Sequence, residues 1–219
     1  FYFTGVITHI FELTTKTLGA FFLKNSDIAF YSQGESSSKL LNKIPEALAV
    51  ILYPRISSLG KEDSKEISIK SFKVTLIILT LLGFLLSLVA KKLIVFLYGS
   101  AFETSADVLL IAIPGVVIGA SCLTLKPFFE GMGRANLIPV IQIPPLILQL
   151  IFGYFLINSF GLIGAALTFS LGFLTLGISF LITFIYLNSV PVSDMLPRLV
   201  DLKFIYLTII DIVRKKLNR

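Results

Sequence analysis

The stretch VTLIILTLLGFLLSLVA, Val74–Ala90, decides the fold class. It is apolar and uncharged, and it approaches the about 20 residues that an α-helix needs to cross a hydrocarbon core. It is too long for a barrel strand of about ten residues, and it does not alternate. Working outward, further apolar stretches of helical length succeed one another. They run over about 1–23 and 29–59 before it, and over about 106–129, 137–156 and 162–187 after it. Gly60–Lys70 reads as a charged connection, and Asn158-Ser159-Phe160-Gly161 as a turn. The expected fold is all-α and integral to a membrane: a six-helix lobe over 1–189 and a cytoplasmic amphipathic tail over 190–219.

Composition agrees. Of 219 residues, 55% are apolar and 15% charged, against about 25% charged in a soluble domain. Mean hydropathy is +0.90. A globule of this size has too much surface to hide that much apolar side chain, so lipid is the economical solvent. The single cysteine, Cys122, excludes an intramolecular disulfide framework and a cysteine-based zinc site. The single histidine, His9, excludes a multi-histidine metal site. No cofactor and no metal are expected. The net charge of +6 fits basic cytoplasmic loops better than a nucleic-acid partner. Phe1 opens the chain in apolar sequence, with methionine only at 132 and 195. A beginning further upstream is therefore expected.

Lysine and arginine test the span count, because connections should be alternately rich and poor in them. Arg55, Lys61, Lys65, Lys70 and Lys73 follow span two, and Lys126 and Arg134 follow span four. Arg198, Lys203, Arg214, Lys215, Lys216 and Arg219 follow span six. Span five is followed by none and span one by Lys24 alone, while Lys91 and Lys92 are the exception. The alternation predicts six spans with a cytoplasmic C-terminus. After Pro191 and Pro197, apolar residues recur at helical spacing over 199–217, which predicts a helix lying in the cytoplasmic interface.

Charges inside a span cost about 2.5–3.5 kcal/mol each on the lenient insertion scale. The first span carries His9, Glu12 and Lys16 on one helical face, with Glu12 and Lys16 spaced for an i,i+4 pair. The second carries Glu35, Lys39, Lys43 and Glu46, again within one face, with Asn42 beside them. Two consecutive polar stripes suggest a shared hydrated cavity. A buried structural network, or charges reaching out to an interface, are the alternative readings. Gln142 and Gln149 share a face in span five, with Pro144 and Pro145 between them predicting a kink. Gly115 and Gly119 in span four form a close-packing pattern.

Enzyme signatures are absent: no phosphate loop, no HExxH, no GxSxG and no paired-carboxylate motif. Four phrases instead resemble a transporter family. The first is Tyr31-Ser32, then Pro45-Glu46-Ala47-Leu48 and Tyr53-Pro54-Arg55-Ile56-Ser57. Leu97-Tyr98-Gly99-Ser100-Ala101-Phe102 and Gly131-Met132-Gly133-Arg134-Ala135-Asn136 follow. The last is Phe160-Gly161-Leu162-Ile163-Gly164-Ala165-Ala166. In this order they resemble helices seven to twelve of polysaccharide-biosynthesis (O-antigen-type) flippases. Those belong to the multidrug, oligosaccharidyl-lipid and polysaccharide exporter superfamily.

The resemblance implies two lobes around a central cavity, alternating access, and a missing N-terminal lobe as partner. It implies a multi-pass protein of the prokaryotic cytoplasmic membrane that flips an undecaprenyl-diphosphate-linked oligosaccharide, with membrane lipid around it. Lys16, Lys39 and Lys43 are the positions that would meet the diphosphate. Glu12, Glu35 and Glu46 are candidates for ion or proton coupling, and His9, Asn42, Gln142 and Gln149 for polar cavity lining. A cation-coupled multidrug exporter of the same superfamily and a non-transporting membrane scaffold are the rival expectations.

Overall fold

A computed structural model describes residues 2–197, and the tail helix expected over 199–217 lies outside them. The described residues form helices α1 (Tyr2–Phe22), α2 (Asn25–Ser38), α3 (Lys43–Ser58), α4 (Lys61–Tyr98), α5 (Ser105–Leu123), α6 (Lys126–Gly131), α7 (Leu137–Asn188) and α8 (Val192–Met195). Short 3-10 turns lie at Lys39–Asn42 and Ser100–Phe102. No strand occurs among the described residues. Among the described residues three stretches, against the six spans expected, are long and apolar enough to cross a membrane: Lys61–Tyr98, Ser105–Gly131 and Leu137–Asn188.

Two boundaries differ from the sequence reading. The charged connection over 60–70 is helical, because Gly60 is extended and α4 begins at Lys61, with Glu62 and Asp63 in its first turn. Carboxylates there complement the helix dipole. The second stretch, expected as one helix over 29–59, is interrupted by the 3-10 turn at Lys39–Asn42.

The 52 residues of α7 would make a straight rod of about 78 Å, more than twice the thickness of a hydrocarbon core. Gly161 prevents this. Its φ of 55° and ψ of −127° are not helical, and the positive φ suits glycine. The chain folds back there into two antiparallel arms, 137–160 and 162–188. Gly164 lies against Leu156, Gly153 against Thr168, and Gly172 against Gln149. Through Pro144 and Pro145 the backbone dihedrals remain helical, so the break sits at Gly161 rather than at the proline pair.

Contacts between distant residues fix the direction of the other rods. Gln142 pairs with Thr8 and Gln149 with Thr15, so α1 runs parallel to the first arm. Gly115 faces Ser170 and Gly119 faces Phe173, so α5 runs parallel to the second arm. Lys91 meets Glu103 and Gly83 meets Val117, so α4 is antiparallel to α5. Phe30 packs on Phe102, Gly34 on Val108 and Gly131 on Ile56. The α2–α3 rod is therefore parallel to α5–α6. The rods alternate in direction along the chain, and α8 returns to pack on α4.

The core centres on α5, whose residues are largely buried. A Cβ placed on Gly115 would lie 2.1 Å from the Ser170 carbonyl oxygen, and one on Gly119 2.3 Å from that of Phe173. The backbones touch, and the Ser170 hydroxyl accepts the Gly115 N–H at 3.2 Å. At one end Phe128 packs edge-on against Phe184 at 4.9 Å, and Phe129 against Phe180 at 5.9 Å. Outward faces are apolar instead: Leu81, Phe84, Leu88 and Phe96 of α4 and Val140, Ile147 and Phe155 of the first arm are exposed.

Gly119→Ala should cost about 1–3 kcal/mol through overpacking, read as a lower melting temperature of the detergent-solubilised protein. Gly60→Ala should lower it less, because a Cβ there meets nothing within 4 Å and only the N-cap preference of α4 is affected.

Candidate functional site

Several buried hydroxyls in the bundle are satisfied within their own helix. Thr14, Ser68, Ser121 and Thr168 each donate to the carbonyl four residues earlier. The polar groups that reach between helices are few, and they concentrate where α1, α2, the Lys39–Asn42 turn and α7 meet.

Glu35 is the centre. It is 1% exposed, and its two oxygens are held by lysines from different elements: Lys39 Nζ at 2.7 Å and Lys16 Nζ at 3.0 Å. Lys39 also lies 5.6 Å above the Phe169 ring, an arrangement that favours a cation over the ring face. The lysines keep 27% and 37% of their side chains open. Tyr31, buried beside them, has Thr15 and Glu35 as its electrostatic neighbours. Thr15 in turn accepts the Gln149 amide at 3.0 Å, and Gly172 leaves the space that the Gln149 side chain fills. Neighbouring polar groups thus run from α2 through α1 to the first arm of α7, with Phe169 and Gly172 of the second arm beside them.

Lys16 takes Glu35 across helices instead of the expected i,i+4 partner Glu12. Lys43 and Glu46, expected on the face of Glu35 and Lys39, pair with each other at 2.7 Å and are exposed. The 3-10 turn explains the departure. Its residues advance about 120° each rather than about 100°, so four of them rotate the following helix by about 80°.

A second polar locus adjoins the first. A cavity of about 230 Å³ is lined by Thr8, Glu12, Asn42, Glu46, Lys126 and Gln142, with apolar walls that include Phe11 and Phe173. Gln142 is 4% exposed. Its amide donates to Thr8 Oγ1 at 2.9 Å, while its Oε1 has no hydrogen-bond partner. Asn42 Oδ1 is likewise buried without one. His9 is exposed and outside this lining. The described residues contain no group of three or more His, Cys, Asp and Glu placed to hold a metal ion.

The structure therefore brings Lys16, Glu35 and Lys39 together and gathers Glu12, Asn42, Glu46 and Gln142 around one cavity. It sets Lys43 and His9 apart. Thr8, Thr15, Tyr31, Phe169 and Gly172 belong to the same region without having stood out as site residues. A signal for the threonines was present: Thr8 and Thr15 are seven apart, as are Gln142 and Gln149, so two polar ladders of equal pitch can meet. Comparison with protein-family models, curated proteins and solved structures finds no match to this chain.

Removing the buried carboxylate should cost more than removing the exposed pair. Glu35→Gln leaves two facing lysines uncompensated and should lower the melting temperature by several degrees. Lys43→Gln should stay within about 0.5 kcal/mol of the parent. Thermal unfolding of both variants in one detergent checks the order.

Proposed function

We propose that this chain is the C-terminal lobe of a flippase that carries a lipid-linked oligosaccharide across the prokaryotic cytoplasmic membrane by alternating access. The observation that carries the reading is the Lys16–Glu35–Lys39 cluster. Two ammonium groups meet one carboxylate, which leaves one positive charge over. Holding that surplus in a low-dielectric bundle is costly unless a counter-ion arrives. Both lysines remain partly open, so a diphosphate can reach them. Ammonium–phosphate hydrogen bonds are roughly twice as strong as neutral ones.

The bundle supports the same reading. Its rods alternate in direction, as six successive membrane crossings require. The connections rich in lysine and arginine fall at one end. Lys91, an exception to that pattern, is neutralised by Glu103 at 2.5 Å. By the positive-inside rule the rich end and the C-terminus are cytoplasmic. The exposed apolar faces of α4 and the first arm then meet lipid, and a second lobe completes the pathway.

In this mechanism the protein forms and breaks no covalent bond. The lysines hold the diphosphate while the lipid tail stays in the bilayer. Glu35 is the coupling candidate, because cargo and carboxylate compete for the same two ammonium groups. Lys43, turned away and paired, contributes less than Lys16 and Lys39. A second reading, a cation-coupled drug exporter, draws support from Glu12 and Glu46 beside Phe11 and Phe173 in the adjoining cavity. A scaffold needs no such opening.

Lys39→Ala and Lys16→Ala in the full-length protein should each reduce flipping of a fluorescent polyprenyl-diphosphate sugar by about tenfold at unchanged expression, about 1.4 kcal/mol. Lys43→Ala should reduce it less. Unchanged flipping in both former variants would overturn the anion-contact assignment.

A further inference from the structure

We infer that the cavity bordered by Glu12, Asn42, Glu46 and Gln142 is a sugar subsite, which holds the ring attached directly to the diphosphate. This inference rests on the flippase reading and names what its second polar locus recognises.

Most of the polar lining accepts hydrogen bonds, although Lys126 at its edge is a cation paired with Glu130 and Glu46 already accepts from Lys43. Gln142 spends its amide N–H on Thr8 and leaves Oε1 unpartnered at 4% exposure. Asn42 Oδ1 is also unpartnered, and the Glu12 and Glu46 carboxylates border the same space. A buried acceptor left without a donor destabilises the empty cavity. The occupant that relieves this cost brings several hydrogen-bond donors.

The walls set the rest of its shape. Phe11 and Phe173 stand edge to face at 6.3 Å, and Ala49, Ala120 and Leu176 complete an apolar surround. A sugar ring combines hydroxyl donors at its edge with C–H faces that pack on such walls. A bare divalent cation such as calcium needs about six to eight close oxygens and would leave most of the about 230 Å³ unfilled. That volume lies below the about 300–1,000 Å³ of drug-sized pockets and suits a single ring.

The register links the two subsites. Glu12 lies one turn from Lys16 on α1, and Asn42 closes the 3-10 turn that Lys39 opens. The acceptor cavity therefore begins roughly 5–6 Å along the bundle from the ammonium pair. That offset is of the size separating a diphosphate from the first ring attached to it.

The test is calorimetric titration of the full-length protein in detergent with three probes. They are a polyprenyl diphosphate, the same diphosphate bearing one hexose, and tetraphenylphosphonium. The parent should bind the glycosylated probe about tenfold more tightly than the bare one. Asn42→Ala removes an orphan acceptor that no interhelical hydrogen bond uses, and Ala49→Phe fills the cavity. Each should erase that difference while leaving affinity for the bare diphosphate unchanged, a control that also reports correct folding. Lys39→Gln should weaken both diphosphates alike. Equal affinity of the parent for both diphosphates would overturn the sugar subsite and leave the flippase reading standing, as would a difference that survives both cavity variants. Binding of tetraphenylphosphonium with no binding of either diphosphate would overturn both.

Discussion

The bundle depends on how closely α5 can approach its neighbours. Without side chains at Gly115 and Gly119, its backbone lies in contact with the second arm of α7. In lipid, helices gain little by hiding apolar surface from one another, so close van der Waals packing carries much of their association. The same helix meets α2 at Gly34 and α4 at Gly83. Glycine thus recurs wherever a rod must lean on this central post. Bulk is displaced outward, to the apolar faces of α4 and the first arm.

Polar contacts then add register to that packing. An apolar surface tolerates sliding and rotation, whereas Gln142 on Thr8 and Gln149 on Thr15 fix α1 against the first arm at two levels. The Glu35 cluster ties α2 to α1 in the same layer. Its carboxylate is secured from two sides, but neither lysine is sealed from water. A fully buried network would serve structure alone. This one fixes positions and keeps an accessible cationic edge.

Much of the fold was legible in the sequence because hydrocarbon demands long apolar helices and short polar turns. Val74–Ala90 and the small residues around Gly161 declared themselves in this way. The helical extension of α4 back to Lys61 did not, because its charged first turns resemble a loop in composition. The grouping of the site residues was legible only in part. A wheel with a constant advance per residue placed Glu35, Lys39, Lys43 and Glu46 on one face. A four-residue 3-10 turn, whose signature is geometric rather than compositional, separated them. The choice of Glu35 over Glu12 as partner for Lys16 was likewise invisible, since it depends on how α2 lies across α1.

The parallel pairing of α1 with the first arm has a consequence for assembly. Thr15 and Gln149 are 134 residues apart, and Gly115 and Gly119 of α5 meet their partners only in the second arm. During synthesis from the N-terminus, α1 and α2 are made well before the 137–188 hairpin exists. Thr15 must wait for Gln149, and the glycine seam of α5 stays uncovered until the second arm arrives. The hairpin acts as a closing wedge. The lifetime of the half-built bundle is set by how soon that last pair of helices is delivered.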